Sequence, residues 1–210
     1  MKLMDMTVSS FLDEMTSESP APGGGSAAAL CGAQGAGLAA MVASFTIGRK
    51  KFVDFEENAI VVRDAELHLV DKLKAQIDRD TEAFNLVAAA FKLPKTTEEE
   101  KAERSAAIQA GTLVSTEVPF ETMVLALEAL RTAEKLLTGF NDSAASDLGV
   151  AAWNLLTCVK GAWLNVGINI GSLKDREAAE SYRVRGLEVL REAEKIAARI
   201  AEHTDKIIFG

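Results

Sequence analysis

The stretch whose reading decides the fold runs from Pro20 to Phe52: PAPGGGSAAALCGAQGAGLAAMVASFTIGRKKF. Between Glu18 and Arg49 it has no charged residue over 30 positions, yet it is mostly Ala and Gly. It opens on three glycines and closes on Arg49, Lys50 and Lys51. A membrane span needs about 20 apolar residues, so length alone permits one. Insertion is driven mainly by Leu, Ile, Phe and Val, which are sparse here, and Gln34 and several hydroxyls interrupt the run. A dinucleotide loop, GxGxxG, must follow a strand, and none precedes it; GxxxxGK followed by Ser or Thr is absent. A helix that is apolar on all sides is a buried one, and small residues let neighbouring backbones approach closely. The stretch therefore reads as the central helix of a bundle, N-capped by Ser26 and running to about Phe52.

Outward from this helix the apolar period stays at three to four residues, never two. Ser10 with Asp13 reads as a capping pair for a short helix around FLDEMTS, ended by Pro20 and Pro22. A third helix runs from about Asp54 to Leu93, where Pro94 stops it; at about 1.5 Å per residue it reaches about 60 Å. Thr97 with Glu100 is a capping box for the fourth, which Pro119 is expected to kink or split. After a break at TGFNDSAASD come an apolar helix from about Ser146 to Ile170 and a charged one from about Lys174 to His203. The expectation is a single all-α domain over residues 1–210, a multi-helix bundle with long helices.

Composition narrows the function. Of 210 residues 48% are hydrophobic and 26% charged, which is globular rather than disordered. A net charge of -8 argues against nucleic acid, whose binding rests on basic surface. Cys31 and Cys158 read as buried, reduced thiols of a cytosolic protein. His68 and His203 are far apart in sequence and no metal-ligand spacing occurs, so no metal is expected. The start MKLMDMTVSSFLDEM carries acids where a secretory signal is apolar, consistent with a cytoplasmic location.

The third helix holds the main anomaly. Leu69, Leu73, Ile77, Asp80, Phe84, Val87 and Phe91 follow one another at steps of three and four, so they share a face. Six are apolar and one is an acid. Asp80 is thus expected to point inward, with its pKa raised unless a cation or donors compensate. It is either a proton shuttle or a structural aspartate, paired with an arginine or capping a neighbouring helix. In the apolar helix Asn154, Asn165 and Asn169 need partners, from neighbouring helices or from an amide-bearing heterocycle such as a pterin. Lys160 there either pairs with a buried acid or snorkels outward. Gly23, Gly24, Gly25 and Ser26 form either a tight turn or a place where a ligand approaches open backbone N–H groups. Asn141, Asp142, Ser143, Ser146 and Asp147 are more polar groups than one helix start requires.

In order and spacing, PAPGGGSAAALCGAQGAGLAAMVA, TIGRKKF, DRDTEAF, LPKTTEEEK, VP, NDSAASDLGVAA and GAWLNVGIN resemble the cyclodeaminase/cyclohydrolase family. That family includes the C-terminal domain of formiminotransferase-cyclodeaminase and free-standing bacterial methenyltetrahydrofolate cyclohydrolases. The family's usual GN before the loop reads Gly139-Phe140-Asn141 here. The resemblance covers almost the whole chain and implies an all-helical homodimer that binds folate in a cleft near the subunit interface. It assigns the catalytic role to the aspartate of DxxAF, which is Asp80. Gly23, Gly24, Gly25, Ser26, Asn141, Ser146, Asp147, Asn165 and Asn169 become candidate substrate contacts. Lys50 is a candidate for the glutamate tail, although Arg49 to Lys51 are more simply read as solvated. The implied reaction is hydrolysis of 5,10-methenyltetrahydrofolate to 10-formyltetrahydrofolate, with neither metal nor nicotinamide. The chain starts directly at these helices, with no formiminotransferase segment before them, which favours the hydrolase. Formimidoyltetrahydrofolate cyclodeaminase is the nearest alternative and a non-catalytic helical folate-binding protein the next.

Overall fold

The computed structural model describes residues 2–210. Six α-helices carry most of it: α1 (Val8–Met15), α2 (Gly24–Thr46), α3 (Glu56–Phe91), α4 (Glu98–Glu134), α5 (Ala145–Ser172) and α6 (Arg176–Phe209). Among the described residues there is no strand, so the expected all-α bundle of long helices is what the chain forms.

The polar punctuation sets most helix ends. Thr97 caps α4 in a capping box with Glu100, and Asp175 caps α6 by accepting from the Ala178 N–H. Thr7, not Ser10, caps α1, accepting from the Ser10 N–H. α2 begins three residues earlier than expected, behind Gly23, because the Ser26 hydroxyl is drawn away to α3. It also stops at Thr46 rather than near Phe52: Ile47 is extended and Gly48 turns at φ 70°, a left-handed position that suits glycine. A separate 3-10 turn, Lys50–Phe55, then leads into α3. α4 runs through Pro119 without a break.

α2 lies at the centre, packed between α3 and α5. Ala36, Ala39, Val42 and Ala43 are fully buried. The helices α2 and α5 are antiparallel, with Gly24 beside Asn165, Gly32 beside Cys158 and Gly35 beside Ala151. A Cβ at Gly35 would sit 2.8 Å from the Ala151 carbonyl oxygen, so only glycine permits this approach. Gly24–Thr46 is long and apolar enough to cross a membrane, but it is the inner helix of this bundle. Lys160 points outward and pairs with Glu194 of α6 at 2.8 Å. Both cysteines are free, Cys31 half-buried and Cys158 buried.

Two features depart from a simple core. The α3 stripe is buried at Leu69, Leu73 and Ile77 but emerges at Asp80, leaving Phe84 and Phe91 exposed. A helix of 36 residues outruns the core beneath it. Further back on α3, Glu66 is fully buried, and neither carboxyl oxygen has a hydrogen-bond partner. Burial, and then Glu128, push its pKa well up against the smaller pull of Lys135.

The outer sides of α2 and α5 form one uncharged seam. On α2 it is Ala27, Cys31, Gln34, Leu38, Met41 and Phe45; on α5 it is Val150, Trp153, Thr157, Gly161, Leu164 and Ile168. The steps are three or four residues throughout. Leu164 and Ile168 are 72% and 77% exposed.

Candidate active site

Where α3 leaves the core, a cavity of about 290 Å³ opens between the start of α2, the middle of α3 and the end of α5. Gly23, Gly24, Gly25, Asp80, Thr81, Phe84, Ser115, Asn165, Ile168 and Asn169 are among its walls. No lysine or arginine lines it.

Asp80 is held by one oxygen. Its Oδ2 accepts from the Ser26 N–H at 2.9 Å and from the Ser26 hydroxyl at 3.2 Å. The same hydroxyl lies 2.8 Å from the Ile77 carbonyl oxygen. The Oδ1 atom has no protein donor among the described residues, so it is the oxygen left for the cavity. Burial raises the pKa of Asp80, and the two bonds from Ser26 pull it back part of the way. No arginine pairs with it. Arg79, next in sequence, turns to Glu121 at 2.6 Å, so the ion-pair alternative for Asp80 is absent among the described residues, whereas the capping alternative is met: Asp80 accepts a first-turn N–H of α2 with one oxygen and keeps the other free.

The first turn of α2 makes this grip possible. A Cβ on Gly25 would overlap the Asp80 carboxylate, so the glycine admits the acid to the helix start. Four N–H groups at a helix N-terminus lack an intrahelical acceptor. Ser26 gives one to Asp80; those of Gly24 and Gly25 have no protein partner among the described residues and can donate to an incoming oxygen.

Across the cavity the two asparagines are fixed by their NH2 groups. Asn165 Nδ2 donates to the Gly161 carbonyl at 2.9 Å, and Asn169 Nδ2 donates to the Ser115 carbonyl at 2.5 Å. The second acceptor is free for a definite reason. In a regular turn Ser115 O would receive the N–H of residue 119, and Pro119 has none. The proline of α4 therefore releases the carbonyl that holds Asn169. With both NH2 groups engaged, Oδ1 of each asparagine remains an acceptor. The cavity thus offers acceptors from Asp80, Asn165 and Asn169 and donors from the backbone of Gly24 and Gly25.

The structure brings Gly23, Gly24, Gly25, Ser26, Asp80, Asn165 and Asn169 together. Ser26 sits beneath Asp80 as its support. It leaves Lys50, Asn141, Ser146 and Asp147 at the far end of α2, about 34 Å away at ~1.5 Å per residue. There Asn141 closes the loop onto α2, its N–H donating to Thr46 Oγ1 and its Nδ2 to the Phe45 carbonyl. Lys50 is exposed, and Lys51 stands 3.9 Å from Asp142. Within one chain these four do not belong to the cavity. Sequence reasoning passed over Thr81, Ser115 and Ile168. The Ser115–Pro119 spacing of four is the signal that marks Ser115.

A larger cleft, about 630 Å³, lies between α3, α4 and α6. Two acids line it: Glu121 is already engaged by Arg79 and by Gln76, and Glu117 accepts from the Tyr182 hydroxyl at 3.4 Å. The smaller cavity, with a raised and half-free carboxyl, is the better chemical site. No group of His, Cys, Asp and Glu side chains among the described residues is arranged to hold a metal ion.

Known proteins resemble the chain over nearly all its length. A family model described as formiminotransferase-cyclodeaminase matches residues 7–186. A methenyltetrahydrofolate cyclohydrolase of Methylorubrum extorquens is 41% identical over 197 residues, which is 93% of this chain and 94% of that protein. A formimidoyltransferase-cyclodeaminase of Rattus norvegicus is 36% identical over 94% of this chain, which spans only 37% of the rat protein. The crystal structure of a formiminotetrahydrofolate cyclodeaminase from Thermotoga maritima superposes with a TM-score of 0.80 at 27% identity, covering 98% of this chain and 97% of that one.

Proposed function

The chain belongs to the formiminotransferase-cyclodeaminase family, and from that membership we propose that it is a methenyltetrahydrofolate cyclohydrolase with Asp80 as its proton shuttle. The observation that carries this reading is the Asp80 carboxyl: burial raises its pKa, one oxygen is tied to Ser26, and the other is left to a cavity without cations.

In the substrate one carbon bridges N5 and N10 as an amidinium cation. Water adds to that carbon as Asp80 Oδ1 takes its proton. The bond from carbon to N5 then breaks, Asp80 returns the proton to N5, and the hydroxyl proton leaves to solvent as the formyl group forms on N10. One acid serves both transfers. Its charge also attracts the cationic carbon. The 2-amino and N3–H edge of a pterin donates hydrogen bonds that the asparagine oxygens can accept, and its 4-oxo group suits the N–H pair of Gly24 and Gly25. A cavity of about 290 Å³ suits this bicyclic head alone.

The second reading is formimidoyltetrahydrofolate cyclodeaminase. N10 attacks the formimino carbon on N5 and ammonia leaves, through a tetrahedral carbon between the same nitrogens, so the same acid serves. The likeness to the Thermotoga maritima protein favours keeping it; similarity to the Methylorubrum extorquens protein along both whole lengths favours hydrolysis. A purely folate-binding role has no use for an acid so placed. A homodimer, a polyglutamylated substrate and a cytoplasmic location belong to this proposal, which needs no resident cofactor.

Two absorbance assays separate the readings. Loss of the methenyl chromophore on adding enzyme supports hydrolysis; its appearance from formiminotetrahydrofolate with ammonia release supports deamination. Neither signal leaves only binding. Asp80→Asn is expected to lower turnover about 10²–10⁴-fold while the protein stays folded by circular dichroism. Full turnover in that variant overturns the role of Asp80.

A further inference from the structure

The larger cleft, about 630 Å³ between α3, α4 and α6, shares no wall residue with the catalytic cavity. Glu117 is two residues from Ser115 on α4 and so turned to the other side of that helix. We propose that this cleft is a second ligand site, one that takes a guanine nucleotide.

Its floor is short of donors. Gln76 is only 3% exposed, and its Nε2 donates to Glu121 Oε2 at 3.3 Å. The carboxylate thereby fixes the amide and leaves Gln76 Oε1 buried with no hydrogen-bond donor. Arg79 donates to the same Glu121 oxygen, so Glu121 Oε1 also has no protein donor among the described residues. Two unfilled acceptors thus stand on neighbouring side chains. A buried acceptor without a donor is costly, and a ligand N–H seated at the floor removes that cost. Guanine carries N1–H and the 2-amino group side by side, two donors for two acceptors. Adenine sets one donor beside an acceptor, which leaves one of the pair unfilled.

The positive charge gathers at one end. α3 runs against α4, with Gln76 beside Glu121 and Ala83 beside Ser115, whereas α6 runs along α4, with Tyr182 beside Glu117 and Glu192 beside Arg131. Lys72 and Arg185 therefore both stand toward Val124 and Leu125, away from Glu117. Neither is paired with an acid among the described residues. Arg185 is held by rings instead, 4.5 Å over Phe120 and 5.9 Å over Tyr182, so its planar fork of N–H donors is unspent. Such a fork suits the oxygens of a phosphate. Ala75, Val124 and Leu125 supply apolar surface between the two ends. Lys72 precedes Gln76 by four residues, about 6 Å along the helix at ~1.5 Å per residue. With the reach of long side chains this matches the ribose between base and phosphate, and it is too short for the aminobenzoyl spacer of a folate.

Calorimetric titration of the whole chain with GMP tests this and needs no turnover, so its result stands apart from the reading of the catalytic cavity. GMP is expected to bind once per chain, with AMP about tenfold weaker. Arg185→Ala, at an exposed position, should weaken GMP at least about tenfold and leave turnover without nucleotide at the wild-type value. Gln76→Leu keeps the bulk and should bring GMP and AMP to equal affinity. No binding of GMP, or an unchanged GMP affinity in Arg185→Ala, overturns the site. Inorganic phosphate binding as tightly as GMP would reduce it to an anion patch. Folic acid displacing GMP one for one would overturn the nucleotide as its ligand.

Discussion

Asp80 is restrained by a single neighbour, and that neighbour sets how far its acidity departs from the ordinary. Burial alone favours the neutral acid, whereas the Ser26 N–H and hydroxyl favour the carboxylate. Ser26→Ala removes the hydroxyl and leaves the N–H. The pKa of Asp80 must then rise further. If ionised Asp80 is the base of the free enzyme, activity is lost as pH falls through that pKa, so the acid limb of the kcat/KM profile moves to higher pH. A limb that stays in place, or moves down, contradicts this. The two asparagines show the same economy, each spending its NH2 on a carbonyl and presenting oxygen to the cavity.

Among the helices, α4 couples its own irregularity to the site through Pro119. Pro119→Ala supplies the missing N–H, which competes for the Ser115 carbonyl that Asn169 now uses. The variant should gain stability, by about 1–3 kcal/mol in urea unfolding, and lose catalytic efficiency about tenfold as Asn169 is freed to rotate. An unchanged kcat/KM removes the proline from the site. This link was not legible in the sequence, where a proline within a helical pattern predicts only a kink. The buried α2 was legible, because charge is absent over 30 positions that are mostly Ala and Gly. Its C-terminal end was not, since the dihedral at Gly48 decides it. Asp80 stands out as the one acid in a periodic stripe, but beyond it the buried side of α3 shifts to Ala83 and Ala90 and leaves Phe84 and Phe91 exposed, a change that the period alone does not report. Ser26 lies 54 residues from Asp80, and Ser115 lies 54 from Asn169; no local period reports pairings of that range. For the same reason the sequence joined Lys50 and Asn141 to the cavity residues, which α2 holds apart.

For the molecule as a whole, acidity within the bundle sets the pH dependence of stability. Glu66 has a raised pKa when folded, so from the usual glutamate range upward the folded chain keeps a proton that the unfolded chain has lost. Stability therefore falls as pH rises through that window and stays reduced above it. Glu66→Met removes the carboxyl and keeps the bulk. Its melting temperature should match wild type near pH 4 and exceed it at neutral pH, by the equivalent of about 1–3 kcal/mol; equal melting temperatures at neutral pH refute the penalty. A different consequence follows from the walls of the cavity. Asp80 is the one formally charged side chain that lines it, and under the proposed reaction its counterion is the bridging carbon of the substrate. Ring opening abolishes that positive charge, so the attraction ends with the step that completes the chemistry. Turnover then carries its own release: 10-formyltetrahydrofolate should dissociate more readily than the cation it came from, with no gate to open, and a product bound more tightly than substrate in equilibrium titration would contradict that.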